Sequence, residues 1–318
     1  MKRLRIALAV AVGAVALCVL GPKPEAGPSQ PERAREGVPE LHELRTWVQE
    51  REAKLSDLRP DNQAQLFPAE PQLQTKRALV YLHGFSAAPQ EIEPVVRRLS
   101  DELGANSWSP RLRGHGRTPE ALGQARAGEW AEDVEEALRV GEVLGERTVL
   151  IGTSTGGTLA ALAALEHPEL AGLVVISANF GPADPSADAL LLPWLGVLLP
   201  AVLPEHCWEP RNEAQEQHWT TCYPIQSVAQ MMRVVDDARQ ADWSRLDVPV
   251  LSIRSDDDGV VQQPAIDAWL DTLSVPVERH VVSATGDESG HVLAGEITAP
   301  SKTDWAVETI RSWVQGLE

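Results

Sequence analysis

The sequence predicts an α/β fold: a mostly parallel, doubly wound sheet with an inserted helical cap. Two observations carry that expectation. Short apolar, β-branched runs alternate with amphipathic helical stretches from residue 77 to the C-terminus, the pattern of strands joined by crossover helices. Between Asn179 and Trp243 the alternation stops, and at 318 residues the chain has room for one large domain carrying such an insertion.

The first twenty residues stand apart. Lys2, Arg3 and Arg5 precede an apolar run from Ile6 to Leu20, the charged and apolar regions of an export signal in their usual order. The run is shorter than the roughly 20 apolar residues of a full membrane span. Val15-Ala16-Leu17-Cys18 approaches a lipoprotein cleavage box, but Leu17 stands where a small residue is required; Ala14-Val15-Ala16 offers a small-x-small alternative. A cleaved signal, a lipid anchor and a retained N-terminal anchor all fit, so the expected location is exported or membrane-anchored, with membrane attachment through residues 1–20.

Residues 21–38 are rich in Pro, Gly and charge and read as a linker. The remainder, 39–318, reads as one domain. Its N-terminal extension is helical, with Leu41, Leu44, Trp47, Val48, Leu55 and Leu58 on one face. A strand at Arg77–Leu82, a helix at Gln90–Leu103 and a short strand at Ser107–Pro110 follow. The helix Trp130–Leu144 precedes a buried, β-branched strand that begins at Thr148 and runs into Gly152-Thr153-Ser154-Thr155-Gly156, and the helix Thr158–Glu166 follows. Further strands are expected at Leu170–Ser177, Val248–Arg254 and Val277–Val282, with a closing helix from Thr303 to Leu317. The cap, about 179–243, contains the apolar stretch Ala189–Leu203, which Pro193 and Pro200 interrupt and so keep from spanning a bilayer. Leu191, Leu192, Trp194, Leu195, Leu198 and Leu199 are available to line an acyl-binding space or to form the cap's own core.

Composition excludes some functions. A formal net charge of −18 disfavours nucleic acid, and it disfavours docking on anionic lipid through a basic patch. With Cys18 in the targeting segment, Cys207 and Cys222 form an even pair that an oxidising compartment would permit to bridge; two buried thiols are the alternative. His206, Cys207, His218 and Cys222 match no familiar zinc spacing.

The chemistry is concentrated in Gly152-Thr153-Ser154-Thr155-Gly156, which joins a buried strand to an alanine-rich helix. A serine hydroxyl becomes a strong nucleophile only when a base takes its proton and donors await the oxyanion. A sharp strand-to-helix turn at Ser154 lets both reach it, and glycines at 152 and 156 allow strand and helix to approach. A base and an orienting acid are expected later in the chain, at strand ends. Ser255-Asp256-Asp257-Asp258-Gly259-Val260-Val261 supplies the acid, Asp258 being favoured because Val260 and Val261 anchor the loop behind it. Gly286-Asp287-Glu288-Ser289-Gly290-His291 supplies the base, His291. The loop His83-Gly84-Phe85 closes the constellation. The backbone N–H groups of Phe85 and Thr155 are the candidate oxyanion donors, and His83 is read as a structural hydrogen-bonding residue.

His83-Gly84-Phe85, Arg111-Leu112-Arg113-Gly114-His115-Gly116, the segment from Gly152 to Gly157, Asp258-Gly259-Val260-Val261 and Ser289-Gly290-His291-Val292 together resemble the α/β-hydrolase superfamily. The resemblance is closest to its carboxylesterase, monoacylglycerol lipase and lysophospholipase-like members and runs from about Leu79 to Leu317. It implies Ser154 as nucleophile, Asp258 as acid, His291 as base and Phe85 and Thr155 as oxyanion donors, with Trp130 in a structural position. The expected activity is cleavage of medium-chain or monoacylglycerol-like carboxylic esters through an acyl-enzyme, with no cofactor and no metal. An amide or peptide hydrolase or an acyltransferase would use the same triad, whereas a binding protein would need only the pocket.

Overall fold

The computed structural model describes residues 21–22, 37–69 and 73–317; the export or anchor segment, Cys18 and most of the linker lie outside the described residues. A seven-stranded sheet in the order β1-β3-β2-β4-β5-β8-β9 forms the centre. Strands β2 (Thr75–Leu82), β3 (Asn106–Ser109), β4 (Gly145–Thr153), β5 (Gly172–Ile176), β8 (Val250–Ser255) and β9 (Val277–Val282) run parallel. The edge strand β1 (Gln65–Phe67), which the sequence pattern did not reveal, pairs antiparallel with β3.

The central strands β2, β4, β5 and β8 are buried on both faces along most of their length because helices cover both. Ala78, Val80 and Leu82 of β2 share one core with Leu150 and Val175. Leu79 and Tyr81, of opposite parity, share the other with Val149, Ile151 and Val174. The first core is closed by α4 (Ala127–Leu144), α5 (Thr155–Glu166) and α8 (Ile225–Gln240), the second by α2 (Val95–Leu103) and α10 (Thr303–Gly316). Helix α9 (Gln263–Asp271) joins β8 to β9 and buries Ile266, Trp269 and Leu270.

Two helices are shorter than the periodicity suggests. The N-terminal extension is helical only at α1 (Leu44–Glu52), where Leu44 and Val48 are buried. Helix α2 begins at Val95 rather than Gln90, because Gln90–Glu93 forms turns that turn the Glu91 carboxylate inward and Pro94 precedes the first helical residue. After β3 the chain forms α3 (Pro119–Gln124), capped by Thr118.

The cap is less helical than expected. Its apolar stretch forms a 3₁₀ segment, Pro185–Leu191, and one turn of helix, α6 (Leu195–Leu198). Leu190 is buried, but Leu192 and Leu198 are 54% and 57% exposed, so they line no enclosed space. A hairpin of β6 (Glu205–Cys207) and β7 (Cys222–Pro224) follows, holding α7 (Glu213–His218) in its excursion. Among the described residues no helix is long and apolar enough to cross a membrane.

Candidate active site

Ser154 lies where β4 passes into α5, with φ +54° and ψ −122°, a conformation rare for any residue but glycine. The turn is held by backbone bonds from Ser154 N–H to Ile176 O (2.9 Å) and from Asn179 N–H to Ser154 O (3.0 Å). Strand and helix approach too closely for side chains at the flanking positions. A Cβ on Gly152 would collide with the carbonyl of Gly156, and one on Gly156 with the carbonyls of Leu82 and His83.

Beyond β8, Asp258 is buried, and its two carboxylate oxygens have separate tasks. Oδ2 accepts from His291 Nδ1 at 2.9 Å, while Oδ1 accepts the N–H groups of Val260 (2.8 Å) and Val261 (3.1 Å). The loop is therefore anchored chiefly by amides, with Val261 buried and Val260 turned outward. Asp256 instead pairs with Arg254 at the surface. His291 is itself buried.

The loop after β2 completes the site. A Cβ on Gly84 would lie 3.2 Å from Ser154 Cβ, so this backbone borders Ser154. Gly84 N–H donates to Glu91 Oε2 (2.8 Å), and Tyr81 Oη donates to the same oxygen (2.6 Å). Burial raises the Glu91 carboxyl above the usual range, while the Tyr81 and Gly84 donors oppose the rise. His83 Nε2 accepts from Leu112 N–H at 3.1 Å, which leaves Nδ1 to donate to Gly84 O at 2.9 Å. Burial drives its pKa down to about 4, so it is a neutral strut between two loops. Phe85 packs edge-on against Tyr223, His115 and Trp130, and Trp130 Nε1 donates to Arg113 O (2.9 Å). Among the described residues the backbone N–H groups of Phe85 and Thr155 donate to no protein acceptor.

Cys207 and Cys222 are joined in a disulfide, facing each other in the β6–β7 register. Together with Glu205 they form the only acidic or thiol cluster of metal-site dimensions among the described residues, but bridged sulfurs are not thiolate ligands. His218 is occupied elsewhere, its Nδ1 lying 3.0 Å from Asn62 Oδ1.

Three residues of the site escape sequence reasoning. Glu91 reads as one acid in a helix, Asp287 as a loop aspartate and Arg211 as surface charge. Yet Asp287 Oδ2 accepts from His291 N–H (2.8 Å), Val292 N–H (3.1 Å) and Ser289 Oγ (2.5 Å), and Arg211 pairs with its carboxylate. The one available signal was Asp287 standing four residues before the histidine with Gly290 between, the composition of a side-chain-stabilised turn.

The profile of the family described as serine aminopeptidase, S33, matches residues 74–286. A thermostable monoacylglycerol lipase of Bacillus sp. (strain H-257) is 28% identical over 183 residues, 58% of this chain and 71% of that protein. A solved structure of the metagenome-derived lipolytic enzymes LipS and LipT aligns with TM-score 0.69 at 20% identity, over 81% of this chain and 99% of its own. A soluble variant of monoglyceride lipase from Saccharomyces cerevisiae aligns with TM-score 0.59 at 14% identity, over 80% of this chain and 90% of its own. At such identities the two structural likenesses speak for the fold.

Proposed function

This chain belongs to the α/β-hydrolase family described as serine aminopeptidase, S33, and is an esterase- or lipase-type hydrolase; from that premise we propose that it cleaves medium-chain or monoacylglycerol-like carboxylic esters through an acyl-enzyme on Ser154. Ser154 Oγ attacks the ester carbonyl as His291 Nε2 takes its proton. Asp258 holds the imidazole in the tautomer with hydrogen on Nδ1 and stabilises the imidazolium that forms. The N–H groups of Phe85 and Thr155 receive the oxyanion. Collapse of the tetrahedral intermediate expels the alcohol, which takes the proton from His291. Water, deprotonated by the same histidine, then releases the acid and restores Ser154.

The observation that carries this reading is the buried 2.9 Å bond between His291 Nδ1 and Asp258 Oδ2, with Asp258 following β8 and Ser154 held at a strained strand-to-helix turn after the parallel strand β4. The substrate class rests on the names of the relatives, a monoacylglycerol lipase among them. Turnover of a chain-length series of p-nitrophenyl esters and of a monoacylglycerol should exceed that of matched p-nitroanilides, and Ser154→Ala should abolish it. Turnover that survives the substitution removes Ser154 as the nucleophile; faster amide cleavage makes the chain a peptidase. Intact ligand binding by Ser154→Ala without turnover separates an enzyme from a binding protein.

We further infer export, with attachment to a membrane through residues 1–20. The apolar run Ile6–Leu20 and a disulfide suited to an oxidising compartment support this. Pro22 O accepts from Trp194 N–H at 2.8 Å, in the cap segment that also exposes Leu192, Leu198 and Val202. Fractionation of the full chain against one lacking residues 1–20 tests it, and recovery of both in the same soluble fraction would refute it.

A further inference from the structure

We propose that Arg211 is a positioning residue for the general base, and that the disulfide-closed arm carrying it, residues 208–221, clamps the base loop and the oxyanion loop together. The proposal rests on His291 acting as the base and goes beyond that reading, because the clamp lies in the cap and outside the triad.

The arm leaves the cap at Cys207 and returns at Cys222. Its two ends are closed by the disulfide and by a bond from Trp208 N–H to Thr221 O (2.9 Å). Its backbone at Arg211 is fixed locally: Arg211 N–H donates to Gln215 Oε1 (2.8 Å), and Gln215 N–H donates to Asn212 Oδ1 (2.8 Å), the cap of α7. From this base the Arg211 guanidinium reaches the carboxylate of Asp287, whose side chain is 1% exposed. A carboxylate so deeply buried is costly unless paired and hydrogen-bonded. Arg211 supplies the pairing charge, and the hydrogen bonds come from the N–H groups of His291 and Val292 and the hydroxyl of Ser289. One buried anion thus ties a cap cation to the backbone of the base. Asn212 Nδ2 adds a second tie, to Ile297 O at 2.9 Å.

The other end of the arm grips the opposite side of the site. Thr220 N–H donates to Ser86 O at 2.8 Å, next to Phe85, whose N–H is the candidate oxyanion donor. The separation between base and oxyanion donor is therefore set partly through an element that touches neither reacting group. Because transition-state alignment tolerates little displacement, a loosened tie should act on turnover more than on substrate affinity.

The test uses the full chain and counts working sites with a fluorophosphonate that labels the nucleophile, so that kcat is expressed per labelled site. Arg211→Met removes the charge and keeps the length of the stem; it should lower kcat per labelled site about tenfold with KM little changed. Arg211→Lys, which keeps the charge without the fork, should recover turnover to within about threefold of wild type. In an Asp287→Asn background Arg211→Met should add little, because the two act as one pair. Fewer labelled sites with unchanged kcat per site would assign Arg211 to folding alone and overturn the proposal, as would a full additional loss in the Asp287→Asn background. Wild-type protein that fails to label at Ser154 overturns the functional reading and the clamp with it; normal labelling with unaltered kcat in Arg211→Met overturns the clamp alone.

Discussion

Replacing Asp258 by Asn should reduce kcat about ten-thousandfold, close to 5 kcal/mol of lost transition-state stabilisation, while leaving the fold in place. The magnitude follows from what surrounds each oxygen. Oδ1 accepts two backbone N–H groups, from Val260 and Val261, and Oδ2 accepts the Nδ1–H of His291. An asparagine amide can keep only one of these faces as an acceptor. Turning its NH₂ toward the two backbone donors would leave both without a partner in a buried loop, a cost of roughly 1–3 kcal/mol each. The amide oxygen therefore stays on the Val260 side and the NH₂ group faces the imidazole. Nδ1 must then accept, the ring proton moves to Nε2, and the base can no longer take a proton from Ser154. The assay is ester turnover per fluorophosphonate-labelled site, with thermal unfolding alongside. A variant within about tenfold of wild type would refute the assignment of Asp258 and return the acid to another residue of the site.

Other expectations follow from packing, linkage and chain entropy. Gly156→Ala puts a methyl group against the Leu82 and His83 carbonyls, which cannot retreat without parting β2 from α5; a loss of about 3 kcal/mol or more is expected in urea unfolding, and a normal midpoint would contradict the packing argument. His167 is held by Glu135 and Glu169, and the Glu135 bond foremost raises its pKa from 6.5 to about 9. A raised folded-state pKa gives stability that is fully present below the unfolded value and disappears as pH rises through about 9, so His167→Gln should flatten the decline in urea midpoint between about pH 6 and about pH 10. An equal decline in both proteins would exclude His167 as its source. The Cys207–Cys222 bridge closes a separation of 15 residues, for which chain entropy gives about 3 kcal/mol, so the double serine variant should unfold at lower urea; an unchanged midpoint would show that β6 and β7 hold without it.

Much of this molecule is legible residue by residue. The parallel sheet follows from apolar runs alternating with amphipathic helices, and the strand parity that assigns Val80 and Tyr81 to opposite cores is written in the period of the chain. That Ser154, Asp258 and His291 each sit in a segment following a strand is equally legible, and parallel strands bring their ends to one edge of the sheet. These features depend on neighbours within a few residues, and backbone geometry propagates them. The cap as far as β7 does not behave so: strands of three residues, a four-residue helix and prolines carry no period, and its shape comes from a register and a disulfide between positions 15 apart. Nor could local pattern announce that Arg211 meets Asp287, or that Glu91 holds the Gly84 N–H. A charged side chain looks the same in sequence whether it faces water or a buried partner; burial is a property of the packed whole, and packing turned those three charges from surface residues into the supports of the site.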